Sequence, residues 1–284
     1  MTQALSQELE EQYNFRARRP DYATAVEPDW VRRSEEFRQY AEGMLNLKYG
    51  SRARECLDFF PSGRPNSPIL VYFHGGYWQR GDKSLYSFVA EPFLEQGIHV
   101  ALVSYDLCPT VRLSHITQQA RCAVAWIHDH AAELGGSRDQ LFVTGHSAGG
   151  HITARLMGTD WGRIAPTLPP DLIKGGIPIS GLFDLRPLMS TTINANLGLD
   201  TAEAHTESPL LHPMPSHAPQ LVVCGGAETE HLRRQSDDYV CRFSSATRAM
   251  ERYDVPGCDH FDVVNALADA NSELFRKVVA LVKG

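Results

Sequence analysis

No apolar run in the 284 residues approaches the length that crosses a membrane. Basic charge is also in short supply: 27 lysines and arginines face 34 aspartates and glutamates, for a formal net charge of -7. That balance argues against a general nucleic-acid binder, and the local basic piece Arg16-Ala17-Arg18-Arg19 reads as solvated surface. The six cysteines, at 56, 108, 122, 224, 241 and 258, contain no Cys-x-x-Cys pair. Their scatter favours free, mostly buried thiols in a reducing compartment over a disulfide framework or a zinc site. Met1 to Gln12 is polar and acidic without the apolar core of a secretory signal, so a cytoplasmic protein is expected. A phosphate loop, a His-Glu-x-x-His metal motif and a strand-linked Gly-x-Gly-x-x-Gly are all missing. His128 and His130 stand two apart on a helix, face different directions and make a poor metal pair. No cofactor and no metal are expected.

What is present is an alternation of strand and helix patterns. Residues 2–12 can form a polar helix, and Pro28 to Met44 predicts a second, amphipathic one through Trp30, Val31, Phe37, Tyr40 and Ala41. This N-terminal helical segment, residues 1–50, can lie across a pocket or pack on the domain's edge. Strands are predicted at Ala53–Phe60, Ile69–Phe73, His99–Ser104, the run ending at His146, Ile177–Ile179, Leu221–Cys224 and Arg248–Val255. Helices are predicted at Leu85–Gln96, at Leu113–Leu134 with Gly135-Gly136 as its stop, and from about Phe261 to Lys283. Such alternation implies a doubly wound, mostly parallel α/β sheet in one domain spanning residues 1–284. The interval 183–219 breaks the rhythm. Its Pro, His, Ser and Thr content, with Asp200 and Glu203 spaced as a helix cap, predicts a partial lid over an active site.

Leu141-Phe142-Val143-Thr144 runs as a strand into Gly145-His146-Ser147-Ala148-Gly149, followed by Gly150. This is the pattern of a nucleophile elbow, which lifts a serine hydroxyl out on a strained strand-to-helix turn. The flanking glycines suit a turn with no room for a Cβ. A serine needs a base, and the chain order for such an elbow is Ser, acid, His. His260, between the last strand and the last helix, stands where the base is required. Glu228, in the loop after Leu221-Val222-Val223-Cys224, is the preferred acid, with Glu230 and Asp254 as competitors. His74-Gly75-Gly76-Tyr77-Trp78 follows an earlier strand and offers backbone N–H groups to an oxyanion. Gly76 and Tyr77 are the expected donors, Gly75 permits the loop's path, and Ala148 N–H completes the set. His74 reads as a brace for this loop, and Trp78 either lines the pocket or packs the loop.

On these residues the chain resembles the α/β-hydrolases, and among them the kynurenine formamidase (arylformamidase) type. His-Gly-Gly-Tyr-Trp at 74–78 is similar to that group's version of the His-Gly-Gly-Gly loop of hormone-sensitive-lipase-like esterases. Tyr105-Asp106-Leu107-Cys108-Pro109 resembles the segment that reads Tyr-Arg-Leu-Ala-Pro in those esterases, and Arg233-Arg234-Gln235-Ser236 is also similar. The resemblance implies a Ser147, Glu228 and His260 triad, Glu standing where the family commonly has Asp. It implies hydrolysis of N-formyl-L-kynurenine to formate and kynurenine, in tryptophan degradation. The alternative is a carboxylesterase or a hydrolase of another small amide. The partner expected either way is a small-molecule amide or ester, without nucleic acid or membrane, and a homodimer fits the sequence as well as a monomer.

Overall fold

The computed structural model describes residues 5–284. Eight strands make one sheet: β1 (Met44–Lys48), β2 (Cys56–Phe60), β3 (Ser67–Phe73), β4 (His99–Val103), β5 (Gly136–His146), β6 (Ile173–Ile179), β7 (Gln220–Gly225) and β8 (Met250–Val255). Their order across the sheet is β1-β2-β4-β3-β5-β6-β7-β8. β1 and β2 pair antiparallel with their neighbours, and every pairing from β4 to β8 is parallel. β3 and β5 lie at the centre with helices on both faces, which is why Ile69-Leu70-Val71-Tyr72-Phe73 is an unbroken apolar run and is wholly buried. This is the mostly parallel α/β sheet that the alternation implied.

Several predicted boundaries move for local reasons. The helix predicted over Leu85–Gln96 is a 3-10 turn at Lys83–Val89 followed by a short helix, Glu91–Glu95. Pro92 has no N–H to continue the first piece. The last helix is two, Asp262–Leu267 and Glu273–Lys283. Between them the Asp269 carboxylate accepts the Asn271 N–H and the Ser272 hydroxyl caps Phe275, so local side-chain bonds compete with the helix. The Leu113 helix ends at His130, and Gly136 opens β5.

The N-terminal 50 residues are not all helical. Helix follows at Gln7–Tyr13, Phe15–Arg18 and Glu27–Tyr40, but Met44 begins β1. Residues 2–4 of the first predicted helix lie outside the described residues. In the Glu27–Tyr40 helix the buried stripe is Trp30, Ser34 and Phe37, an i, i+4, i+7 face, while Val31 and Tyr40 stay exposed. The 183–219 interval, between β6 and β7, folds as short turns and helices, among them Thr201–Thr206 with the Asp200 carboxylate accepting the Glu203 N–H as predicted.

Candidate active site

Ser147 stands on the turn between β5 and the helix Ala148–Met157, with φ 58° and ψ -115°. Such a conformation is costly for a residue with a Cβ and is held here by packing. A Cβ at position 149 would come within 1.9 Å of the Phe73 carbonyl oxygen, so the helix seats against β3 only with glycine there. The Ser147 N–H is anchored on the Ile179 carbonyl at 2.9 Å.

β7 and β8 deliver the other two side chains. His260 Nε2 is 3.0 Å from Ser147 Oγ, and His260 Nδ1 is 2.6 Å from Glu228 Oε2. The Glu228 side chain is fully buried. Its Oε1 accepts the Gly225 N–H at 2.8 Å and the Ser180 hydroxyl. Burial alone would raise its pKa. The charge of His260, together with the bonds from His260, Ser180 and Gly225, outweighs that and holds the carboxyl below the usual range. The competing acids point elsewhere: Glu230 is exposed on the first turn of the next helix, and Asp254 pairs with Arg252 at 2.7 Å and Arg233 at 3.6 Å.

The glycine loop passes close by Ser147. A Cβ on Gly75 would be 3.2 Å from the Ser147 Cβ, and Gly76 takes φ +117° where a Cβ would strike the Arg80 carbonyl oxygen at 2.3 Å. The N–H groups of Gly75, Gly76, Tyr77 and Ala148 have no acceptor among the described residues. They are thus available to an oxyanion. His74 is fully buried, stacks on Tyr105 at 4.3 Å and bonds the Gly75 carbonyl oxygen through Nδ1 at 2.8 Å. Burial pushes its pKa down to about 4, so it braces the loop as a neutral ring. His146, beside the nucleophile, donates Nε2–H to the His260 carbonyl oxygen at 2.6 Å, an acceptor with no proton to give. Burial and the neighbouring His260 lower its pKa to about 3.

Trp78, expected either to line the pocket or to pack the loop, does not line the cavity. It is wholly buried and stands edge-on to His151 at 4.9 Å, packing the loop from behind. Tyr77 lines the cavity. Its hydroxyl donates to the Tyr13 carbonyl, and its ring stacks on Phe15.

The N-terminal segment lies over the pocket rather than on a distant edge. Phe15 stacks on His260 with ring centroids 3.8 Å apart. The Arg16–Arg19 piece is correspondingly not plain solvated surface. Arg19 bonds Asp259 and Asp262 on either side of His260 and Phe261, and Arg16 reaches Glu27 at 3.4 Å and lies 4.2 Å above the Tyr22 ring. The places of Phe15, Ser180 and Arg19 at the site escaped the sequence reading because the partners that put them there, His260, Glu228, Asp259 and Asp262, lie far along the chain. The one available signal was the aromatic and basic density before Pro20. Thr192, Ile193 and Asn196 from the 183–219 interval also line the cavity.

Residues 58–164 match the BD-FAE family model. The kynurenine formamidase of Salmo salar is 30% identical over 257 residues, covering 88% of this chain and 85% of its own. That of Drosophila melanogaster is 28% identical over 243 residues, with 81% and 79% covered. A crystal structure from Silicibacter sp. TM1040, described as a candidate thioesterase, superposes with a TM-score of 0.86 at 32% identity, covering 98% of this chain and 100% of that one. An esterase from Pyrobaculum calidifontis shares the fold, with a TM-score of 0.75 at 18% identity over 99% and 98% of the two chains. The elbow, the glycine loop and the similarity along most of the chain lead to one conclusion: this chain belongs to the kynurenine formamidase family of α/β-hydrolases.

Proposed function

We propose that this hydrolase cleaves an aryl formamide of the N-formyl-L-kynurenine type to formate and an aryl amine, with Ser147, His260 and Glu228 as its triad. The observation that carries the reading is the 3.0 Å approach of His260 Nε2 to Ser147 Oγ, backed by Glu228 on Nδ1 at 2.6 Å. Ser147 Oγ attacks the formyl carbon as its proton passes to His260 Nε2, and the carbonyl electron pair moves onto oxygen. The N–H groups of Gly76, Tyr77 and Ala148 receive that oxyanion, with Gly75 shaping the approach. Glu228 stabilises the imidazolium without taking its proton. His260 then protonates the departing nitrogen, the C–N bond breaks, and a formyl ester remains on Ser147. Water, deprotonated by His260, attacks that ester, and formate leaves with the regenerated serine hydroxyl.

Tyr77, where esterases of similar loop carry a third glycine, narrows the acyl side towards a one-carbon formyl group. The N-terminal segment and the 183–219 interval together form the cover that keeps water out. No helix among the described residues is long and apolar enough to cross a membrane. A cytoplasmic, single-domain enzyme acting without nucleic acid, cofactor or metal completes the reading, and a homodimer is compatible with it.

The test is a panel of N-formylkynurenine, formanilide, 4-nitrophenyl acetate and butyrate, and an acyl thioester, the last because the similar Silicibacter protein is described as a candidate thioesterase. The formamides should lead in kcat/KM. Ser147→Ala should lose turnover of every substrate and should no longer be labelled by an organophosphonate. Equal or higher kcat/KM on the butyrate ester than on the formamides would overturn the substrate assignment while leaving the hydrolase.

A further inference from the structure

The cavity above Ser147 has a charged mouth that the hydrolytic step does not use. Arg16, Glu27 and Arg80 line it, outward from Gly76 and His260. Arg16 and Glu27 occupy one another at 3.4 Å, and the Tyr22 hydroxyl adds a bond to Glu27 at 3.3 Å. Gln79 and Asn196 are also committed, Gln79 Nε2 donating to the Ile193 carbonyl at 2.9 Å and Asn196 Nδ2 donating to Gln79 Oε1 at 3.3 Å. Arg80 is exposed at the same mouth, and its guanidinium makes no ion pair with a carboxylate among the described residues, the nearby Glu27 being taken by Arg16. Two guanidiniums against one carboxylate leave local positive charge on a chain of net charge -7. The position of Arg80 is also well defined. Its backbone N–H donates to the Gly76 carbonyl at 3.2 Å, so the side chain springs from the same turn as the oxyanion donors.

We propose that the Arg80 guanidinium docks a carboxylate on the leaving-group side of the substrate. This rests on the formamide reading above, because a formyl group is one carbon and whatever reaches the mouth must belong to the departing amine. The planar fork of an arginine matches a carboxylate bidentately, and a neutral ester leaves that fork unmet. In the N-formyl-L-kynurenine type of substrate proposed above, the group that Arg80 meets is the carboxylate of the amino-acid tail.

The experiment uses two matched pairs: a formanilide and an aryl acetate, each with a ring side chain ending in a carboxylate, beside its methyl ester. Wild type should prefer the carboxylate member of each pair roughly ten- to a hundredfold in kcat/KM, mostly through KM, as charge-assisted bonds allow. Arg80→Gln should bring that ratio close to one, Arg80→Lys should keep part of it, and added salt should shrink it. A wild-type ratio near one in both pairs, or a ratio that survives Arg80→Gln, would overturn the proposal. If the formanilides are not cleaved but the acetates are, the formamide reading fails and the acetate ratio still decides the role of Arg80. Protection of Ser147 from organophosphonate labelling by the free arylalkanoate, compared with its methyl ester, reads the same preference without turnover.

Discussion

Glu228 divides its two oxygens between different partners: Oε2 faces His260, while Oε1 is held by the Gly225 N–H and the Ser180 hydroxyl. The bond from Ser180 is made from a backbone at φ +50°, an unusual conformation for a residue with a side chain. The extra methylene of Glu is thereby accommodated, since both oxygens are fixed by groups on neighbouring strand ends. Glu228→Gln should lower kcat by about 10³- to 10⁴-fold, because an amide can neither hold the imidazole tautomer nor balance its charge. Ser180→Ala should cost about tenfold, since the Gly225 N–H remains on Oε1 and one hydrogen bond to a charged group is lost. Steady-state kinetics on N-formylkynurenine with circular dichroism of each variant checks both. A Glu228→Gln enzyme with near-normal kcat would move the acid's role to another residue. The serine, the histidine and the preferred acid were all legible from chain order, whereas Ser180 was not, because nothing local distinguishes it from any serine after a strand.

The N-terminal segment is the element whose role was decided by tertiary contact. Arg19 fastens it to Asp259 and Asp262, Tyr77 fastens it through the Tyr13 carbonyl, and Glu10 accepts the Thr192 N–H of the 183–219 interval at 2.8 Å. These bonds hold Phe15 flat against the His260 ring. Arg19→Ala should therefore speed amide hydrogen exchange across residues 13–22 and raise KM, with exchange in β3 and β5 unaltered, since segments open locally when their few anchors go. Exchange in that segment matching wild type would show that Arg19 does not fasten it. Sequence pattern marked two of the segment's helices and missed Phe15–Arg18; helical spacing put Trp30 and Phe37 in the buried stripe, but also Val31 and Tyr40, which are exposed. β1 was missed for a physical reason. Four of its five residues are exposed and its sequence does not alternate, so only pairing with β2 makes it a strand.

At the scale of the whole molecule, three of the buried histidines among the described residues have their pKa values pushed far down, His74 to about 4 and His146 and His151 to about 3, each chiefly by burial. In the unfolded chain each titrates near 6.5, so below that pH the unfolded state binds protons that the folded state refuses. Stability therefore falls as pH drops from about 6.5 towards 4. Each histidine contributes up to about 1.4 kcal/mol per pH unit, and the three together up to about 4 kcal/mol per pH unit. Glu228, with its folded pKa depressed, acts in the same direction at lower pH: its contribution is present above the unfolded carboxyl range and is lost as pH falls through its folded value. Urea midpoints should thus drop clearly between pH 7 and pH 5. An unchanged midpoint over that interval would mean that these rings protonate without unfolding the chain.

Sequence by itself determined the sheet class, the elbow, the glycine loop and the placement of His260 after the last strand. Each of these depends on short-range patterning: an apolar run for a strand buried on both faces, a glycine where a Cβ has no room, a turn at a strand's end. Tertiary structure alone decided that Trp78 packs behind the loop, that Arg19 pins the N-terminal segment beside His260, and that Arg80 at the mouth meets no carboxylate among the described residues. Those outcomes turn on which surfaces meet across tens to hundreds of residues of chain, and a side chain's exposure or its counter-ion is a property of that meeting, not of its neighbours in sequence.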